Sequence, residues 1–277
     1  MLMVSVKKEL AKYDLTPRKR WGQHFLVDQN ILSKVIRTAE LEKGDVVLEI
    51  GPGLGVMTLA LARQVKKVIA VEIDRKLVKI LKEKTADLSN IMVIEGDVLK
   101  ISFEQLYHQG IQQLKVVANL PYQISTPLLF RFIESKQLFS TLTMMLQREV
   151  AERMIASPGG KDYGPLSIFS QSVLDLSIQF YIKPSAFFPP PKVESAVIHM
   201  VWKERPLVRL EEEGWFKKVV KGCFSYRRKR LINALRHADL PLPEDLEERV
   251  EKIGIDSQRR PETLTIQEFV SLADALR

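Results

Sequence analysis

Asn119-Leu120-Pro121-Tyr122 sets an amide and a phenol ring at the end of a short apolar run, Lys115 to Ala118. The run reads as a buried strand, and Pro121 stops it and stiffens the loop that follows. Residues at strand tips in an open α/β sheet are the ones that meet ligands. An Asn oxygen can accept a hydrogen bond from the exocyclic amine of a base, and a Tyr face can stack on that base. A plain strand-ending turn could carry the same four residues. Their weight therefore depends on what stands at the neighbouring strand ends.

Three further strand ends carry chemistry. Glu49-Ile50-Gly51-Pro52-Gly53-Leu54-Gly55 follows the run Val46 to Ile50 and opens a helix. Glycines let a backbone turn sharply and come close to a ligand. The spacing Gly-x-Gly-x-Gly is not the Gly-x-Gly-x-x-Gly of a dinucleotide site, and Pro52 removes a donor that a phosphate cradle would use. Glu72 closes the next strand, placed to accept both hydroxyls of a ribose. Asp97, in Glu95-Gly96-Asp97-Val98, closes the third and could bond an adenine edge. Each carboxylate alone could be a solvated strand end or a helix cap. Together with Asn119 they describe a site for a nucleoside without phosphate, and S-adenosylmethionine fits it best.

The elements that must hold these residues follow an alternating pattern from about residue 28 to 205, as in a parallel sheet covered by helices. Asp28 is placed to cap a helix through Ile31, Leu32, Val35 and Ile36. Strands are expected at Val46–Ile50, Val68–Ile73, Ile91–Ile94, Val116–Ala118, Leu142–Leu146, Leu176–Ile182 and Ala196–Trp202, the last two flanking the turn Phe187 to Pro191. After Pro206, apolar residues from Trp215 to Phe224 recur at helical spacing without strands. This predicts a small helical domain over 206–277, ending in a helix from Ile266 to Leu276.

The chain has 277 residues, 45% of them hydrophobic, and its 42 basic against 34 acidic residues leave a net charge of +8. Such an excess suits a polyanionic partner. Between Lys217 and Arg236 stand eight basic residues (217, 218, 221, 227, 228, 229, 230 and 236) and no acidic one, a pattern suited to phosphate contacts. One cysteine, Cys223, excludes an internal disulfide, and four scattered histidines offer no zinc spacing, so no metal is expected. No membrane span or signal peptide is evident, and a cytoplasmic, monomeric protein is expected.

The tetrapeptide at Asn119 resembles the amine-methylating motif of S-adenosylmethionine-dependent N-methyltransferases. Over nearly its whole length the chain resembles the ribosomal RNA adenine N6,N6-dimethyltransferase family, KsgA type. Arg18 to Leu26 is similar to its N-terminal cofactor-lid motif, with His24 where many members carry Asn. Gly51 to Gly55, Glu72, Gly96-Asp97 and Asn119 to Tyr122 match its strand-end motifs in order. Phe187 to Ser195 resembles its late aromatic–proline motif.

The resemblance implies an α/β fold: a Rossmann-like, seven-stranded class I methyltransferase sheet with a small C-terminal all-helical domain, divided into 1–205 and 206–277. It implies that His24, Leu26, Gly51, Gly53, Glu72, Asp97 and Asn119 hold S-adenosylmethionine. It also implies that Asn119, Leu120, Tyr122 and Phe187 act on the target adenine, held between Tyr122 and Phe187. The implied substrate is two adjacent adenosines in a hairpin loop near the 3′ end of small-subunit RNA, each methylated twice. Two rivals are a large-subunit RNA adenine dimethyltransferase of the antibiotic-resistance kind and a non-catalytic RNA-binding or transcription factor on the same fold. The former typically has Ile where Leu120 stands, and a pure binder has no need of Asn119 to Tyr122 or Glu72.

Overall fold

The computed structural model describes residues 2–18, 21–106, 113–208, 213–226 and 229–277. In chain order its strands are β1 (Phe25–Leu26), β2 (Val46–Ile50), β3 (Lys67–Glu72), β4 (Ile91–Glu95), β5 (Leu114–Asn119), β6 (Phe139–Gln147), β7 (Leu174–Ile182), β8 (Phe187–Phe188) and β9 (Ser195–Trp202). The helices are α1 (Leu2–Lys12), α2 (Gln29–Thr38), α3 (Val56–Ala62), α4 (Arg75–Lys84), α5 (Ser125–Glu134), α6 (Arg148–Met154), α7 (Pro165–Val173), α8 (Glu213–Ser225), α9 (Leu231–Arg236), α10 (Leu246–Lys252) and α11 (Ile266–Ala275).

Seven strands make one sheet in the order β4-β3-β2-β5-β6-β9-β7. β2 is buried at every position, as a near-continuous apolar run between parallel neighbours should be. It pairs in parallel with β3 on one side and β5 on the other, so that Ile50 lies between Val71 and Ala118. From β2 the chain steps outward through β3 to β4 and then returns to the opposite side. The strand order therefore reverses between β2 and β5, and that crevice is where such sheets bind ligands. β9 runs antiparallel to β6 and puts Ser195 opposite Gln147.

Asp28 caps α2 as expected, accepting the backbone N–H groups of Asn30 and Ile31. α2 then buries Leu32, Val35 and Ile36 in a core shared with Met57, Leu61 and Val68. A two-stranded ribbon, β1 with β8, lies outside the main sheet. It pairs Phe25 with Phe188 and Leu26 with Phe187. The sequence reads Phe187–Phe188 as part of a turn, because two residues are too few to show a period.

The chain divides into two compact units, residues 1–151 with 177–201, and residues 152–176 with 202–277. This differs from a single cut at 206, since Glu152–Leu176 joins the C-terminal helices. The reason lies in α7, whose buried Leu166, Ile168 and Phe169 belong to the helical core. Phe169 meets Phe216 of α8 edge-on at 6.0 Å. The helical face expected after Trp215 is core: Phe216, Val219, Val220 and Cys223 are buried.

Candidate functional site

One cleft at the carboxyl ends of β2, β3, β4 and β5 is lined by His24, Leu26, Gly51, Gly53, Glu72, Asp97, Asn119, Leu120 and Tyr122. Four separate strand ends thus converge, as the spacing predicts, and the N-terminal segment joins them, as the resemblance implies. Lys19 and Arg20 of the N-terminal motif lie outside the described residues.

The glycine turn is built around Glu72. Gly53 has φ +58°, and a Cβ there would sit 3.0 Å from the Phe25 ring, so only glycine suits the position. Its N–H donates to Glu72 Oε2 at 3.1 Å, and the N–H of Asp74 donates to Oε1 at 2.9 Å. Each carboxylate oxygen keeps acceptor capacity beyond that one bond. Burial pushes the Glu72 carboxyl above its ordinary range, against the lowering effect of those backbone donors. Beside it, Asp97 Oδ1 accepts the N–H of Leu99 at 3.0 Å and so fixes the next turn. Arg131 holds the same turn from outside, donating to the carbonyls of Val98 and Ile101.

Asn119 is oriented by the N-terminal segment. Its Nδ2 donates to the carbonyl of His24 at 3.0 Å, which leaves the amide oxygen as the available acceptor. His24 is itself held by a 2.6 Å contact between Nδ1 and the carbonyl oxygen of Pro189. Its ring lies 5.9 Å from that of Tyr122 with 29° between the planes. The Tyr122 hydroxyl meets Ser195 Oγ at 2.7 Å.

Phe187 is the predicted site residue that the cleft does not include. It is 2% exposed and packs in the core with Leu26, Ala186 and Val197. Its ribbon partner Leu26 lines the cleft, while Phe187 itself packs into the adjoining core. The ring beside Tyr122 is His24.

Two groups escape a reading by motif. Glu49 lines the cleft fully buried, and neither carboxylate oxygen has a hydrogen-bond partner among the described residues. Burial pushes its carboxyl up to about 8, with repulsion from Glu72 adding and the nearby Thr58 hydroxyl partly offsetting. A lone carboxylate inside Val46-Val47-Leu48-Glu49-Ile50 is the signal that could have found it. Asp74 is the other. It is buried, accepts from Gln23 Nε2 at 3.2 Å and lies 3.7 Å from Arg18 Nε, tying the N-terminal motif to the end of β3.

A mostly parallel seven-stranded sheet with acidic strand ends around a glycine turn defines the class I methyltransferase fold. The family model for ribosomal RNA adenine dimethylase matches residues 15–277, and the chain belongs to that family. The ribosomal RNA small subunit methyltransferase A of Geobacter metallireducens is 43% identical over 94% of this chain and 95% of its own. The crystal structure of a dimethyladenosine transferase from Plasmodium falciparum superposes with a TM-score of 0.77 at 28% identity, covering 90% of this chain and 96% of that one. The 23S rRNA methyltransferase ErmE gives 0.67 at 25% identity, covering 91% and 99%. Among the described residues no helix is long and apolar enough to cross a membrane, and no cluster of acidic, His or Cys side chains could hold a metal ion.

Proposed function

We propose that this protein transfers methyl groups from S-adenosylmethionine to N6 of two adjacent adenosines in a loop of small-subunit ribosomal RNA, taking each to the dimethyl state. One observation carries the reading: Asn119, its amide nitrogen engaged by His24, lines the same cleft as the ribose-type acceptor Glu72. The substrate choice is supported by the 43% identity to a small-subunit enzyme, against 25% to a large-subunit one.

The cleft fits the cofactor on its own terms. Glu72 keeps acceptor capacity for ribose hydroxyls, and Asp97 stands at the next strand end for an adenine edge. The orphaned carboxyl of Glu49 suits the ammonium of the amino-acid part. Bound there, S-adenosylmethionine supplies an activated methyl on its sulfonium.

The protein's part is placement. The amine of adenine is a poor nucleophile because its lone pair is delocalised into the ring. Asn119 Oδ1 and the Leu120 carbonyl accept its two hydrogens and turn the lone pair toward the methyl. Placement of this kind is worth up to about 7–11 kcal/mol. Tyr122 receives the unstacked base on its ring, returning roughly 1–3 kcal/mol of the few spent on extrusion. N6 needs no base before transfer, since its proton becomes acidic only after it is methylated. The cation-rich helices of the second unit hold the RNA backbone, with Lys218, Lys221 and Arg230 exposed. Arg227 and Arg228 of that run lie outside the described residues.

The test is incubation with methyl-labelled cofactor and unmethylated small or large ribosomal subunits, followed by nucleoside analysis. Dimethyladenosine in the small subunit alone is expected. Label in the large subunit, or RNA binding without transfer, would overturn the reading.

A further inference from the structure

Beyond the target base, the edge of the sheet carries an exposed aromatic–guanidinium pair that the methyl-transfer reading does not use. Tyr181, at the end of β7, is 47% exposed, and the guanidinium carbon of Arg148 lies 4.7 Å from its ring centre. Arg148 follows the last residue of β6. Its Nη1 donates to Glu194 Oε2 at 2.8 Å, and its backbone N–H donates to the Glu194 carbonyl at 3.0 Å. Glu194 adjoins Ser195, the partner of the Tyr122 hydroxyl. An unbroken chain of contacts thus leads from Tyr122 through Ser195 and Glu194 to Arg148 and Tyr181.

The chemistry of this pair is that of a base platform. Exposed Tyr rings and guanidinium planes are the surfaces on which proteins stack unpaired RNA bases. Glu194 neutralises Arg148 and fixes its plane, so the pair offers a flat face and little charge to a phosphate. Backbone contacts nearby fall instead to Lys183 and Lys192, both exposed. Val193, 44% exposed, extends the apolar surface beside Glu194. A surface ion pair of this kind contributes little to stability.

We infer that Tyr181 and Arg148 form a second base subsite, which stacks the nucleotide next to the adenosine held at Tyr122. The inference rests on the proposed methyl transfer to tandem loop adenosines. It supplies a reason for specificity toward adjacent residues: while one base is in the cleft, its neighbour is held outside, unstacked from it.

The experiment uses full-length protein and unmethylated small subunits reconstituted with RNA whose loop carries an abasic ribose beside the target adenosine. Tyr181→Ala should lower kcat/KM on intact subunits about tenfold, the size expected when one base stack is removed. Tyr181→Phe should retain the wild-type value, and cofactor affinity should be the same in all three proteins. On abasic subunits the wild type should fall to the level of Tyr181→Ala, and the variant should fall no further. An unaltered rate for Tyr181→Ala, or losses that multiply when variant and abasic RNA are combined, would overturn the subsite alone. Absence of transfer by the wild type to intact subunits would overturn the proposed function, and the subsite with it.

Discussion

The Tyr122 hydroxyl and Ser195 Oγ stand 2.7 Å apart although 73 residues separate them in the chain. The bond joins the loop after β5 to the first residue of β9, across the end of β6. It fixes the plane of the ring on which the target base is proposed to lie. Removing it with Ser195→Ala should cost about 1 kcal/mol of positioning, seen as a roughly fivefold lower turnover. Cofactor affinity should not change. Combining it with Tyr122→Phe should add nothing, because either change breaks the same bond. Additive losses in that cycle would remove Ser195 from the positioning role.

Glu72→Ala should weaken S-adenosylmethionine binding at least tenfold. Two ribose hydroxyls would lose a charged acceptor, at about 1.5–3 kcal/mol for such bonds. The change also frees the N–H groups of Gly53 and Asp74. Calorimetric titration is the measurement, and an affinity equal to wild type would refute the ribose assignment.

Glu49 makes stability depend on pH. Its carboxyl titrates near 4.5 when unfolded and at about 8 in the cofactor-free fold. The folded state therefore holds the extra proton between those values, and the contribution of Glu49 to stability falls as pH rises through that window. Glu49→Gln should remove the penalty, so that its advantage in thermal unfolding grows from pH 5 to pH 8. The slope of that difference is at most about 1.4 kcal/mol per pH unit. A difference that stays flat with pH would mean that Glu49 is not protonated in the fold.

The basic face of the second unit should show itself in salt dependence. Replacing Lys218, Lys221 and Arg230 with Gln should leave cofactor binding unaltered and weaken binding to small subunits. For every phosphate no longer neutralised, the plot of log affinity against log salt should flatten by roughly 0.7–0.9. Arg236 already pairs with Glu247 at 3.0 Å, so Arg236→Gln should flatten it less. Equal slopes for all variants would assign these charges to solubility alone.

What the sequence made legible was whatever depends on local pattern. Apolar runs such as Val68 to Val71 gave strands, and residues at the strand ends, from Gly51 to Tyr122, share one cleft. What stayed hidden depends on partners distant in the chain. Phe187 reads as a base-stacking ring from its motif, and only the fold shows it packed among Leu26, Ala186 and Val197. Asp74 caps α4, and only the fold brings Gln23 to it. The grouping of residues 152–176 with the C-terminal helices is not legible locally, because the apolar face of α7 gains meaning only against α8.

The position of β9 has a consequence for how the protein is made. It is the last strand to be synthesised, yet it lies between β6 and β7 in the finished sheet. Until it emerges from the ribosome, β6 has an open edge and β7 has no neighbour in the sheet, and such edges invite pairing with other chains. The same strand brings Ser195 to Tyr122. A nascent chain that stops short of β9 therefore lacks both a continuous sheet and the Tyr122–Ser195 bond, so the site is completed as the open edge of β6 is covered. The tRNA-by-tRNA order of synthesis thus withholds the site's final hydrogen bond until the domain is nearly whole.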